Sequence, residues 1–490
     1  MKILLINPNV QSFVGIPISL CYLAGMLKSK GYNDIIGIDF NIDSIVDFKQ
    51  DIKNATIAGI SVVSKAFPEV VELSKQLKKI NPQIKICLGG PHPTLEPREC
   101  ITPKTIDFVI TRQGEIPFYQ LVEALENKGN LSKIKGLWYK QNGRIKANPI
   151  NEFIENLDEL PFSDFDIFPI KRYAHMKFFP IAPMISSRSC PNVCTNCQPA
   201  LREIAGPYRK RSVKHVIAEM KQLKKKYGIR LFDFVDNTFT IDKKWVLDFC
   251  RELKREKLNV KWGCAATIKS IDKQMMRAMK NAGCTLLSFG IESGSQRVLD
   301  EVLHKGFLLE EAEKVMKWAS ELRLRVHCWF MLGVPGETKK EIMDTVNLAK
   351  NLNANSVMFS VGVPQPHVEF TRTSIEKNWI LPHTLSDLEK PGFYQYNLFG
   401  DSDPYLGRTS LFQTDEFGPD FIEVAKYKII NEFKGWDRFG FIFKNIKKES
   451  KEQFLEFFGS EFLTFLNDFK FKHVRLMLKA IKYKFVEVLK

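Results

Sequence analysis

The sequence predicts an α/β protein: a doubly wound parallel sheet first, a second series of βα units after a linker, and a mainly helical C-terminal region. Three observations predict it. Short β-branched apolar runs alternate with amphipathic helical stretches over residues 1–130. Turn residues and prolines break the alternation over 131–180, and it restarts at 181 and continues to 375. From 376 to 490 the composition shifts towards Phe and Lys. Strands that alternate with helices build parallel βαβ units.

In the first unit, Lys2–Ile6 is an apolar run closed by Asn7-Pro8, and Ile18–Lys30 has helical spacing closed by Gly31. Asp34–Asp39, Thr56–Ser61, Ile84–Leu88 and Asp107–Ile110 read as further strands, with Phe67–Ile80 as a helix. Ligands of such sheets bind beyond the carboxyl ends of the strands. The turns there contain Asn7, Ser61, Ser64, Gly89, Gly90, His92, Thr94, Gln113, Gly114 and Glu115. Gly136–Tyr139 followed by Gln141-Asn142-Gly143 predicts a small hairpin inside the linker, and Leu157–Phe162 an extended segment. The second unit opens on the apolar strand Pro183–Ser187 and has room for five or six βα repeats, Thr285–Phe289 among their strands. The tail is loop-like around Pro382, Pro391 and Pro404, then helical from about Asp420.

The chain has 490 residues, 44% hydrophobic and 26% charged, enough for several cores. No run approaches the ~20 apolar residues of a membrane-spanning helix. The apolar start of MKILLINPNV is too short for a signal peptide, so the cytoplasm is the expected compartment. A net charge of +16 suits nucleic acid, an anionic membrane surface or simply a Lys-rich solvated face. In the tail, Lys472, Arg475, Lys479 and Lys482 fall on one helical face, and Phe471, Val474, Leu478, Ile481 and Phe485 on another. Such a helix can lie on anionic lipid at the inner membrane surface, or pack as an ordinary surface helix. Its company of rings, including Phe439, Phe454 and Phe462, favours apolar contacts over nucleic acid, and no nucleic-acid partner is expected.

Seven of the ten cysteines are scattered as buried thiols usually are. The other three, Cys190, Cys194 and Cys197, form Cys-x3-Cys-x2-Cys just after the opening strand of the second unit. Three thiolates on one loop can ligate three irons of a [4Fe–4S] cluster and leave the fourth iron open for a substrate or cofactor. Zinc is the alternative, but a structural zinc takes four closed ligands. No fourth cysteine has a matching spacing, and His215 lies 18 residues on in a helical pattern.

This trio, followed in order by Phe234-Val235-Asp236-Asn237-Thr238-Phe239, Gly290-Ile291-Glu292-Ser293-Gly294 and Phe330-Met331-Leu332-Gly333-Val334-Pro335-Gly336-Glu337-Thr338, resembles the radical S-adenosylmethionine (SAM) superfamily. The resemblance implies a partial (β/α)6 TIM-like barrel over 181–375, whose open iron binds SAM and whose reduction splits SAM to a 5'-deoxyadenosyl radical. It implies SAM contacts from Asn196, Asp236, Glu292, Ser293, Leu332 and Gly333, with Glu292 on the ribose hydroxyls. Pro17–Tyr32, the GGPHPT turn and Asp107–Glu115 resemble the Rossmann-like cobalamin-binding domain that precedes the barrel in one branch of the family. Asn7, Ser61, Ser64, Gly89, Gly90, His92, Thr94, Gln113, Gly114 and Glu115 would then surround cobalamin. The Asp-x-His-x-x-Gly of domains that place a histidine on cobalt is missing, so His92 is expected near the corrin without ligating it. Ser189 and Asn196 stand where relatives usually carry glycine and an aromatic residue.

The resemblance implies C-methylation of an unactivated carbon, with an electron donor such as flavodoxin or ferredoxin, and the Phe- and Lys-rich tail points to an apolar small-molecule substrate, a lipid, isoprenoid or tetrapyrrole. Ring formation or oxidation with the same cofactors is the alternative within the family. A cobalamin-binding sensor with a structural cluster is the alternative outside it.

Overall fold

The structure is a computed structural model. It describes residues 1–8, 15–150, 152–174, 181–197, 205–362, 364–365, 367–380, 412–418, 420–422 and 424–425. The amphipathic stretch over 470–490 and the Phe-rich part of the tail lie outside the described residues.

The first sheet is built from β1 (Ile3–Asn7), β2 (Ile35–Asp39), β3 (Ile57–Ser61), β4 (Lys85–Gly89), β5 (Phe108–Ile110), β6 (Leu137–Gln141) and β7 (Arg144–Ala147). The order β2-β1-β3-β4-β5-β6-β7 is parallel through β5 and antiparallel after it. Residues of β1, β3 and β4 are apolar on both faces because helices cover both sides, which is why these strands read as continuous apolar runs. The predicted strands and the helix Phe67–Ile80 appear within a residue or two of their expected ends. The hairpin expected in the linker is present, but it pairs with β5 and so completes the first sheet. Its turn residues Asn142 and Gly143 both have positive φ (50° and 73°), as a tight two-residue hairpin requires.

The second sheet contains β8 (Ile181–Met184), β11 (Leu231–Phe234), β12 (Lys261–Ala266), β13 (Cys284–Glu292), β14 (Arg325–Leu332) and β15 (Ser356–Val361), parallel in the order β15-β14-β13-β12-β11-β8. This is the six-stranded partial barrel. Three of its helices begin on acidic caps or a capping box just after a strand. Asp242 accepts from Trp245 N (2.9 Å), Asp272 from Met275 N (2.8 Å), and Thr338 pairs with Glu341. Each cap contributes about 1 kcal/mol and fixes where the strand-end turn stops. A cluster of rings (Phe234, Phe239, Trp245, Phe249 and Trp262) packs behind β11 and β12 with centroids 4.7–5.8 Å apart.

The opening strand differs from its expected span, Pro183–Ser187. It ends at Met184, and Ser187–Arg188 (β9) instead pairs antiparallel with Arg209–Lys210 (β10). The cause is Asp236, which draws Ser186 and Ser187 out of the sheet by accepting from Ser186 N (3.1 Å), Ser186 Oγ (2.8 Å) and Ser187 Oγ. The strand Thr285–Phe289 is longer than expected, running from Cys284 to Glu292 with a register shift between Gly290 and Glu292.

Candidate active site

The β9–β10 hairpin delivers the cysteine loop. Ser189, immediately before the first cysteine, has φ 70° in the left-handed region, and its Oγ donates to Gly206 O at 2.7 Å. That backbone explains why glycine suits this position, and the hydroxyl's bond holds serine in it. Cys190 Sγ lies 3.8 Å from Thr238 Oγ1, four residues past the end of β11. The middle of the loop is tied to the far side of the barrel, with Thr195 N donating to Leu303 O (3.2 Å) and Thr195 Oγ1 to Val302 O (2.6 Å). On its other flank Phe370 N donates to Thr195 O at 3.2 Å.

Across from the loop, Glu292 ends β13 with φ 71°. Lys305 reaches its Oε1 at 3.3 Å. Gly290 makes room for that pair: a Cβ there would stand 2.5 Å from Glu292 Oε1 and 3.4 Å from Lys305 Nζ. Burial works to lower the Lys305 pKa, but Glu292 and the thiols of Cys194 and Cys197 overcome it and hold the ammonium above its usual value. The lysine is thus tied to the strand end and feels two of the three cysteines. Sequence reasoning passed over it. The only signal was a basic residue before Gly306, in a turn following Glu292.

The neighbouring turns lock together. Glu337, fully buried, accepts from Val334 N at 2.9 Å, while its Oε1 has no partner. Burial pushes its pKa up to about 8. Ser293, also buried, lies 3.3 Å from Thr345 Oγ1. Gly333 (φ 69°) turns the end of β14 beneath Ile422, and Leu332 is buried. Asp236, whose pKa burial raises, spends its carboxylate on Ser186 and Ser187. It braces the run into the cysteine loop. Asn196 Oδ1 is buried and has no partner.

In the first sheet the switch in strand order falls between β1 and β3, the place where such sheets take their ligands. Asn7, Ser61 and Gly89 end three adjacent strands there. Asn7 Nδ2 is held by Asp39 Oδ1 at 2.9 Å. Ser64 opens the short turn after β3, and Thr94 Oγ1 bridges Gly90 O (2.8 Å) and Arg112 N (2.8 Å). Gly90, at φ 108°, packs so that a Cβ would press on Val62 N and O at 3.0 Å. His92 is 2% exposed, its ring 4.8 Å from that of Phe67; neither nitrogen makes a hydrogen bond, and Nε2 lies 3.7 Å from Glu99 Oε2. Burial lowers its pKa to about 4, so the imidazole is neutral. Gln113 and Glu115 face the barrel. Gln113 Oε1 accepts from Ile154 N (2.7 Å) and Arg209 Nη1 (3.3 Å), and Glu115 Oε1 from Arg188 Nη2 (2.5 Å). Gly114 caps the helix Glu115–Asn127.

These residues fit the groups the sequence implies. Among the described residues no three His, Cys, Asp or Glu side chains converge closely enough to hold one metal ion. A cubane does not ask for that, because each thiolate binds a different iron. The orphaned Oδ1 of Asn196 beside Cys197, and the paired Glu292 and Lys305, are polar groups that would suit SAM. The orphaned Oε2 of Glu115 and the tight Gly90 turn suit a large amide-bearing ligand at the first sheet's edge.

Comparison with known proteins agrees. Residues 184–349 match the model of the Radical SAM superfamily, and residues 9–122 that of the B12 binding domain. An uncharacterized methyltransferase of Pyrococcus horikoshii is 33% identical over 396 residues, covering 78% of this chain and 84% of its own. The anaerobic magnesium-protoporphyrin IX monomethyl ester cyclase of Rubrivivax gelatinosus is 27% identical over 384 residues, covering 75% and 68%. The fold matches that of the radical SAM methyltransferase TsrM from Kitasatospora setae, solved with cobalamin and a [4Fe–4S] cluster. The TM-score is 0.71 at 16% identity, covering 95% of this chain and 99% of that one. The chain is therefore an enzyme of the radical SAM superfamily, in the cobalamin-dependent methyltransferase branch that carries a B12-binding domain, and its cofactors are a [4Fe–4S] cluster, SAM and cobalamin.

Proposed function

We propose that the enzyme methylates a carbon of an apolar small molecule. The observation that carries this reading is the face of the barrel next to Glu292. Strand side chains alternate between the helix layer and the interior, and Phe289, Ile291, Cys328 and Phe330 are buried against the helices. On the opposite face, towards the carboxyl ends of the strands, Trp329 is 39% exposed, and Val235, just after β11, is 46% exposed. Trp329 pairs with Gly290, two residues before Glu292. An apolar wall thus adjoins the place assigned to SAM, where a substrate carbon has to sit.

Cys190, Cys194 and Cys197 hold the cluster, Glu292 takes the ribose hydroxyls with Lys305 fixing its carboxylate, and Asn196 offers an acceptor to adenine. The turns holding Ser61, Gly90 and Thr94 cradle cobalamin. Held there, the cluster would supply the one-electron reduction of SAM, drawing on a flavodoxin- or ferredoxin-like donor, and cobalamin would supply a methyl carrier. His327, whose Nδ1 lies 2.7 Å from Ser356 Oγ, is kept neutral by burial, its pKa lowered to about 4, and gives this wall an uncharged polar group.

The test is anaerobic incubation of cluster- and cobalamin-loaded protein with methyl-labelled SAM, a reductant and a cell extract. Label in the solvent-extractable fraction together with 5'-deoxyadenosine is the expected result. An unlabelled product with a new ring would replace methylation by the cyclase chemistry named for the Rubrivivax relative. Label in RNA would overturn the apolar substrate.

A further inference from the structure

One short turn of the cobalamin-binding domain grips both strands of the hairpin that carries the cluster loop. Arg188 stands two residues before Cys190, and its Nη2 donates to Glu115 Oε1 at 2.5 Å. Glu115 begins a helix at the carboxyl end of β5, on the ligand edge of the first sheet. The pair is 18% and 9% exposed, so solvent screens it little. Burial would raise the Glu115 pKa, yet Arg188 prevails and holds it below its usual value. Arg209, opposite Arg188 in the hairpin, repeats the contact two residues away, donating to Gln113 Oε1 (3.3 Å) and Ile154 O (2.8 Å). Arg209 and Arg112 both lie over the ring of Phe153, at 5.0 and 4.5 Å.

The second oxygen of Glu115 is the telling atom. Oε2 is buried and accepts nothing, although a carboxylate is acceptor-only and both its oxygens seek donors. Cobalamin carries amide side chains around its ring, and each amide offers N–H groups.

We propose that Glu115 and Arg188 form a positioning link between the two cofactor sites. Glu115 Oε1 holds Arg188, and Oε2 accepts an N–H from a cobalamin amide, so cobalamin occupancy sets the seat of Ser187–Arg188 and of the cysteine loop behind it. The inference rests on the cofactor assignment above and adds to it a coupling between the sites. Glutamine at 115 would keep one acceptor oxygen and could serve only one partner. Lysine at 188 would keep the charge but lose the planar fork that reaches Glu115 while anchored in the hairpin.

The test uses the full chain in two states, cluster-loaded with and without hydroxocobalamin, and reads the cluster midpoint potential by a redox titration followed by electron paramagnetic resonance. In the native protein, cobalamin should shift the midpoint. In Glu115→Gln and in Arg188→Lys the shift should disappear while iron and sulfide content stay native. A shift of native size in Glu115→Gln, or none in the native protein, would overturn the link. Should either variant fail to hold its cluster, cobalamin affinity of the cluster-free protein decides. It should fall tenfold or more in Glu115→Gln and stay native in Arg188→Lys, and native affinity in Glu115→Gln would again overturn the link. Failure of the native protein to bind cobalamin at all would instead remove the assignment beneath it.

Discussion

Cys190, Cys194 and Cys197 share one loop, with Cys194 and Cys197 half-buried, whereas Cys284 stands alone, 1% exposed, at the start of β13. Replacing any of the three by alanine should abolish cluster binding, and Cys284→Ala should leave iron and sulfide content and the visible charge-transfer band native. A full cluster in Cys194→Ala would contradict the assignment. His92 carries a second prediction at this scale. Its ring is packed on Phe67 inside the turn, so the Co(II) form should show no nitrogen splitting from the protein in its paramagnetic resonance. Splitting that vanishes in His92→Ala would refute this. The cysteines were legible in the sequence because their chemistry demands a fixed local spacing. Arg188 was not, because its partner Glu115 lies 73 residues earlier, and Lys305 was not, because a lysine 13 residues after Glu292 has no characteristic spacing.

The strand-end turns are where element and site coincide. Most strands and helices followed from periodicity, because the central strands of the first sheet are buried on both faces and read as apolar runs, while those of the second alternate between a buried face and a more open one. The opening barrel strand did not, since Ser186 and Ser187 read as a continuation until Asp236, some 50 residues on, is seen to capture them. The same long-range logic hides the state of Glu337. Its folded pKa, about 8, lies above the ordinary carboxylate value of 4.5. The folded protein therefore binds this proton more tightly than the unfolded chain, and the associated stability is complete below about pH 4.5 and is lost as pH rises through about 8. Glu337→Gln keeps an acceptor for Val334 N and removes the titration. Chemical denaturation across this range should show a flatter pH dependence for the variant, with its relative gain largest above pH 8. An unchanged profile would show that Glu337 is ionised in the fold.

The whole molecule is held by buried polar ties between its units as well as by apolar packing. Arg211, just past β10, pairs with Glu219 at 2.6 Å and donates to Tyr22 Oη at 3.0 Å. Glu219 also accepts from Tyr22 Oη (3.2 Å) and from Ser163 N and Oγ (2.8 and 2.6 Å), joining the first domain, the linker and the barrel. Arg211 and Glu219 are 5% and 0% exposed, and a charge left alone there costs about 3–5 kcal/mol. Arg211→Met should lower the melting temperature and split a single calorimetric transition into two, one per unit. The double variant Arg211→Met with Glu219→Leu should recover much of the loss. A single native-like transition in Arg211→Met would mean that the units cohere without this tie. None of the network was visible in the sequence, where its members lie up to 197 residues apart. Among the described residues no helix is long and apolar enough to cross a membrane.

The hairpin that closes the first sheet runs antiparallel to β5, with Tyr139 opposite Phe108 and Leu137 opposite Ile110. Its tip, Asn142-Gly143, therefore emerges at the amino ends of the parallel strands, the rim opposite Glu115 and the carboxyl ends of those strands. Every residue of β7 is exposed, and a Cβ on Gly143 would meet nothing within 4 Å. A foreign peptide spliced between Asn142 and Gly143 would project from the back of the molecule. An affinity handle or fluorophore there could immobilise or report on the enzyme under anaerobic conditions while leaving both cofactor mouths open.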